Sequence, residues 1–169
     1  MRAFRSSPTD NPGRLNVFEF GGVRAIVDFA HNPHGLQALF DMAGALPAKR
    51  RLAVIGHAGD REDEAIAEVA TTAWSAGLDR VIVKEQERHL RGRELGEVTA
   101  IMTAALRAAG APDEAVGTAD DELEAVNQAL SWAQPGDLLL LLILAERDAV
   151  LARLATLQAA GWSPGQPVA

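Results

Sequence analysis

The stretch DLLLLLIL, from Asp137 to Leu144, constrains the fold more than any other part of this sequence. In a strand, successive side chains point to opposite faces. A strand with no polar alternation is apolar on both faces and is stable only where both are covered. Parallel sheets flanked by helices meet that condition, and their strands read as continuous apolar runs. The run is not a membrane span. Leu138 to Ala145 is eight residues, and a helix needs about 20 to cross a bilayer.

The rest of the chain alternates in the way such a sheet requires. NVFEF and VRAIVDF flank Gly21-Gly22, which predicts a two-residue hairpin and one antiparallel pair. Short apolar strands are expected at RLAVIG, DRVIVKE and EAVGT. Helices are expected at HGLQALFDMAGAL behind Pro33, at REDEAIAEVATTAWSAG, at GRELGEVTAIMTAALRAAG, at DDELEAVNQALSWAQ and at ERDAVLARLATLQAAG. The predicted fold is α/β: a doubly wound, mostly parallel sheet of about six strands with one antiparallel edge strand. Trp74, Trp132 and the leucine run are expected in the core, and His34 and His89 on the surface. The boundaries expected are a linker or hinge arm over 1–16, rich in Ser, Pro and Gly, one domain over 17–161, and a flexible tail over 162–169.

A chain of 169 residues suffices for one domain with its own core. The net charge of -7 argues against a general nucleic-acid binder, which shows a basic face. There is no cysteine, so disulfide and thiolate chemistry are absent. The first residues also lack the apolar core of a secretion signal, and a cytoplasmic location without membrane attachment is the expectation.

In open α/β sheets, ligands bind beyond the carboxyl ends of the strands. Three polar loops should meet there. In DFAHNP, Asp28 is placed to accept hydrogen bonds from a ribose diol, and His31 and Asn32 sit at a helix N-terminus that favours an anion. The plainer reading is that Asp28 and Asn32 cap the helix. In GHAGDRED, Gly56 and Gly59 allow a tight turn and Arg61 can grip a carboxylate or phosphate with two hydrogen bonds; equally, Asp60, Glu62 and Asp63 make an acidic helix start. In KEQERHLRGRELGE, Arg88, Arg91 and Arg93 form a basic cluster that suits an anionic substrate group or a solvated loop. Asp28, His31, His57 and Asp60 could also converge as nitrogen and oxygen ligands of a metal-dependent hydrolase, although none has the spacing of a helical zinc motif. No P-loop and no dinucleotide-binding glycine fingerprint occur.

Three segments, NPGRLNVFE, VDFAHNPHGL and VKEQERHLRGRELGEV, occur in this order and spacing in one family. On them the chain resembles the C-terminal domain of Mur-type ATP-dependent amide ligases, and within these it is similar to the cyanophycin-synthetase-like branch. The DFAHNP block is shared with folylpolyglutamate synthases. PGRLN and the KE…RGR..GE loop are more specific to that branch. The diaminopimelate-type DNPR motif is absent, which disfavours that substrate.

The resemblance implies a Rossmann-like Mur ligase C-terminal domain and an ADP-forming amide ligase that works through an acyl phosphate, with ATP and Mg2+ held mainly by a P-loop-containing central domain, in cis or in trans. It implies that Asp28, His31 and Asn32 face the nucleotide. It places Gly59, Asp60 and Arg61 against the amino-acid substrate, together with Lys84, Glu85, Arg91, Gly92, Arg93 and Glu97, and puts Arg14 near the interdomain hinge. It singles out no residue as catalytic and no metal ligand in this chain. The expectation is a closing domain of a larger ligase. The rival expectation is a freestanding, non-catalytic domain that binds a ligand or partner.

Overall fold

A computed structural model describes residues 14–168. Most of the expected hinge arm therefore lies outside the described residues. The element order is β1 (Asn16–Phe20), β2 (Val23–Asp28), α1 (Pro33–Ala45), β3 (Arg51–Ile55), α2 (Asp63–Ser75), β4 (Arg80–Lys84), α3 (Glu97–Ala108), β5 (Val116–Ala119), α4 (Glu122–Trp132), β6 (Leu138–Leu142) and α5 (Arg147–Ala159). The six strands form one sheet in the order β1-β2-β6-β3-β4-β5. Only the β1–β2 pair is antiparallel. The doubly wound sheet with one antiparallel edge expected from the sequence is the fold observed.

β6 lies between β2 and β3, with Leu140 opposite Ile26 on one side and Ala53 on the other. Every one of its residues is buried. Leu139 and Leu141 pack with α4 and α5 through Val126, Leu130, Val150 and Leu154. Leu138, Leu140 and Leu142 pack with α1, α2 and α3 through Leu39, Phe40, Ile66 and Met102. The period of two in the strand therefore divides one leucine run between two separate cores. The apolar stripes of five helices cover the two faces, three on one and two on the other.

The hairpin follows from Gly21 and Gly22. Both adopt positive φ, 56° and 80°, the conformation a two-residue type I′ connection demands and glycine supplies without strain. That turn sets Phe20 opposite Val23 and points Phe18 and Phe20 into the core.

The structure differs from expectation at the C-terminus. Residues 162–168, expected as a flexible tail, pack against the domain. Trp162 is 4% exposed and meets Phe20 edge-on, with ring centroids 5.5 Å apart at 87°. Its indole N–H donates to the Gln166 and Pro167 carbonyls, and Arg153 donates to the Val168 carbonyl. A polar, Pro-containing tail looks unstructured in isolation; one buried indole with its N–H satisfied is enough to fasten it. Trp74 and Trp132 only flank the two cores, and Trp132 also carries the Arg50 guanidinium on its face, 3.8 Å from the centroid.

Trp162→Ala is expected to cost about 3–5 kcal/mol. The check is urea unfolding: the midpoint falls while the slope is kept. An unchanged midpoint would mean that the tail contributes nothing to the core.

Candidate functional site

The loops after β2, β3 and β4 turn toward the face that carries α1, α2 and α3, whereas the loop after β6 turns to the opposite face and enters α5. Strands whose outgoing connections part in this way leave a crevice at their carboxyl ends. Here it is a cleft of about 330 Å³. Ala30 and His31 contribute from the first loop, His57, Asp60 and Arg61 from the second, Gln86 and His89 from the third, and Leu142 and Leu144 from the β6 side.

The first loop is held by its own polar groups. Asp28 accepts the Leu15 N–H at 2.9 Å and the Ala30 N–H at 2.7 Å. Asn32 is the N-cap of α1, accepting the Gly35 N–H at 2.8 Å, with Pro33 in the first turn behind it. The Nδ1 of His31 lies 3.0 Å from the Phe29 carbonyl, and that of His57 lies 2.6 Å from the Ala58 carbonyl. A carbonyl only accepts, so both rings carry their proton on Nδ1 and leave the Nε2 lone pair free when neutral.

The second and third loops are joined through Gly59. Its N–H donates to the His89 carbonyl at 2.8 Å. A Cβ at this position would lie 2.0 Å from the Leu90 carbonyl oxygen, so only glycine permits the approach. Arg93 completes the joint: its guanidinium donates to the Gly59 and Arg61 carbonyls and pairs with Asp63 and Glu97. Glu85 accepts the Gly96 N–H and the Thr99 hydroxyl at the start of α3.

Beneath the third loop is a buried ion pair. Lys84 is 2% exposed and Glu122 1%; the Lys84 ammonium donates to Glu122 Oε1. Glu122 also accepts the backbone N–H groups of Leu144 and Glu146, and Glu146 in return accepts those of Glu122 and Leu123. Burial pushes the Lys84 ammonium below its ordinary range, with Glu122 pulling the other way. For Glu122, burial opposes the charge, but Lys84 and the two N–H groups outweigh it and hold the carboxyl below its ordinary value.

A family model described as "Mur ligase, glutamate ligase domain" matches residues 13–142. The chain belongs to the Mur ligase C-terminal domain family. Cyanophycin synthetase from Trichormus variabilis is 34% identical over 142 residues, 84% of this chain. Cyanophycin synthetase from a Synechocystis species is 35% identical over 134 residues, 79% of this chain. The chain spans 15% of the length of each of these relatives. Among solved structures, E. coli FolC in complex with ADP, without folate substrate, superposes with a TM-score of 0.60 at 24% identity, covering 89% of this chain and 32% of that one. No helix among the described residues is long and apolar enough to cross a membrane.

The structure of this Mur ligase C-terminal domain separates the residues singled out in the sequence into two groups. His31, Asp60 and Arg61 line the cleft. Neither the Arg61 guanidinium nor the Asp60 carboxylate has a partner among the described residues. By contrast, Lys84, Glu85, Arg93 and Glu97 were expected to face a substrate, yet the fold itself uses their polar atoms; Lys84 is turned into the interior. Arg91 and Gly92 are exposed, Arg91 with a φ of 53°, and Arg14 is exposed at the chain's approach to β1.

The convergence of Asp28, His31, His57 and Asp60 on a metal is not found. Among the described residues no group of three or more His, Asp or Glu could hold an ion. His89, expected on the surface, is half-buried and lines the cleft. Gln86 and Glu122 escaped notice in the sequence. Nothing local marks them, since Glu122 meets Lys84 across 38 positions.

Lys84→Met leaves the Glu122 carboxylate buried without its cation and is expected to cost about 3–5 kcal/mol at neutral pH. The wild-type contribution of Glu122 is complete above its ordinary pKa of 4.5 and is lost as pH falls through the lower folded value. In the variant, burial raises that pKa, so protonation relieves the penalty. Urea titrations from pH 7 to pH 4 should therefore show the gap between the two proteins narrowing; a constant gap would contradict the ion-pair assignment.

Proposed function

We propose that this chain is the C-terminal closing domain of an ADP-forming amide ligase of the cyanophycin-synthetase type, and that its cleft presents the amine substrate. The observation that carries this reading is the pair Asp60 and Arg61. Both stand exposed at the mouth of the cleft without partners among the described residues, on a loop that Gly59 and Arg93 tie to the next one. A guanidinium so placed binds a carboxylate through two parallel hydrogen bonds. The neighbouring Asp60 carboxylate suits an ammonium. Together they would seize the two charged groups of an amino acid and orient its nitrogen.

In such a ligase, ATP converts a carboxylate to an acyl phosphate, and attack by the amine forms the amide and releases phosphate. A P-loop domain, in cis or in trans, would hold the nucleotide and Mg2+. This chain's part is orientation and water exclusion. Fixing the amine against the acyl carbon replaces a bimolecular encounter, and closure keeps water from the acyl phosphate. His31 and Asn32, at the N-terminus of α1, would face the phosphate side.

An antibody against this chain is the first tool. It should detect a species several times larger than 17.9 kDa in the source cells, or recover the chain together with a P-loop protein. The recovered assembly should release ADP only when an amino acid is supplied. Arg61→Ala should lower kcat/KM for the amino acid about 10- to 100-fold, chiefly through KM, with the melting temperature unchanged. A lone 17.9 kDa species, or unchanged kinetics in the variant, would overturn the reading.

A further inference from the structure

One buried side chain at the cleft has no partner for its polar atoms among the described residues. Gln86 is 4% exposed, and both its Oε1 and its Nε2 are buried without a hydrogen bond. Such groups are scarce in folded proteins, because a buried amide that loses water and gains nothing destabilises the fold. Its surroundings make the deficit specific. The adjacent Lys84 ammonium is committed to Glu122, and the nearby Leu144 N–H to the same carboxylate. Gly56, which also lines the cleft, has no side chain to cover the amide: a Cβ there would lie 3.0 Å from Gln86 Nε2. Gln86 itself is one of the residues that line the cleft.

We propose that Gln86 forms the floor of a recognition site for a planar, neutral group that carries a hydrogen-bond donor beside an acceptor. A side-chain amide presents one acceptor and two donors at a fixed spacing. A guanidinium or ammonium would satisfy Oε1 and strand Nε2; a carboxylate would do the reverse. Either ion would also be buried where the local charges already cancel, with no counter-ion at the floor. A primary carboxamide satisfies both atoms at once. So does the edge of adenine, whose N6 donor and N7 acceptor pair with a glutamine in the same bidentate way. Leu36, Leu142 and Leu144 at the same cleft give the faces of such a planar group apolar contact. The inference rests on the ligase reading only in treating the occupant as a substrate of that reaction; the binding itself does not need it.

The test uses this chain, labelled with nitrogen-15, and follows the Gln86 side-chain NH2 resonances, assigned by their loss in Gln86→Leu. The probes are L-glutamine, its charged counterpart L-glutamate, and adenosine. The expected result is a saturable shift of the Gln86 resonances by glutamine or by adenosine, at least 10-fold tighter than by glutamate, and at least 10-fold weaker binding of the same probe to Gln86→Leu. A response to glutamine assigns the floor to an amino-acid carboxamide, and a response to adenosine assigns it to a nucleobase. If Gln86→Leu does not fold, Gln86→Met and the probe selectivity of the wild type carry the same decision. Three results overturn the proposal: no response to either neutral probe, equal binding of glutamate, or a folded variant that binds as the wild type does. The last would mean that Gln86 only holds a buried water. None of these readouts involves ATP turnover, so a failure of ADP release leaves this result standing, and the reverse holds too.

Discussion

Two-sided burial of β6 is the constraint on which the other features of the molecule depend. Leu138 to Leu142 are buried on both faces, so helices must cover both sides of the sheet. Because β6 is the last strand in sequence and lies third in the sheet, the chain must cross back over β3 and β4 to insert it. That return, through α4, uses the face opposite to α1, α2 and α3. The connections leaving β2 and β3 therefore part from the one leaving β6, and a crevice opens at the end of β6. The site is a topological consequence of where the apolar run sits.

Three polar fastenings then fix the shape of the crevice. Lys84 and Glu122 bind the end of β4 to the start of α4, and Glu122 extends the tie to the loop after β6 through the Leu144 and Glu146 N–H groups. Arg93 and Gly59 lock the second loop to the third. Asp28 closes the first loop on the chain's approach to β1. Charged groups are costly to bury, and each of these is compensated by a partner that belongs to a different element. The result is a rigid base with an open, charged mouth, the arrangement expected where side chains must be held within fractions of an ångström of a productive geometry.

The elements were legible in the sequence because they rest on local signals: the Gly21-Gly22 turn, Asn32 as a cap and the unbroken run in β6. The loops that carry the site were legible too, since their position follows from the fold class. The division of labour among their residues was not. Whether Lys84 or Arg93 faces outward depends on Glu122 and on Asp63, which lie 38 and 30 positions away, and no periodicity reports such pairings. Trp162 escaped for the same reason: the ring it packs against, Phe20, belongs to the opposite end of the chain.

The contrast between base and mouth bears on what the domain can do by itself. If the cleft serves the amide-forming reaction proposed for it, it must keep water out while it holds opposite charges close together. The residues suited to hold those charges, Asp60 and Arg61, are both exposed, and surface charges separated by water interact weakly. Their strength as binding groups rises only when a second surface covers the cleft and lowers the local dielectric. The same covering would shelter the floor at Gln86, where a neutral donor–acceptor group gains most from being dry. Under the proposed reading the open cleft is half of a working site: the fold supplies the geometry, and closure against a partner surface lowers the dielectric and strengthens the binding that this geometry allows.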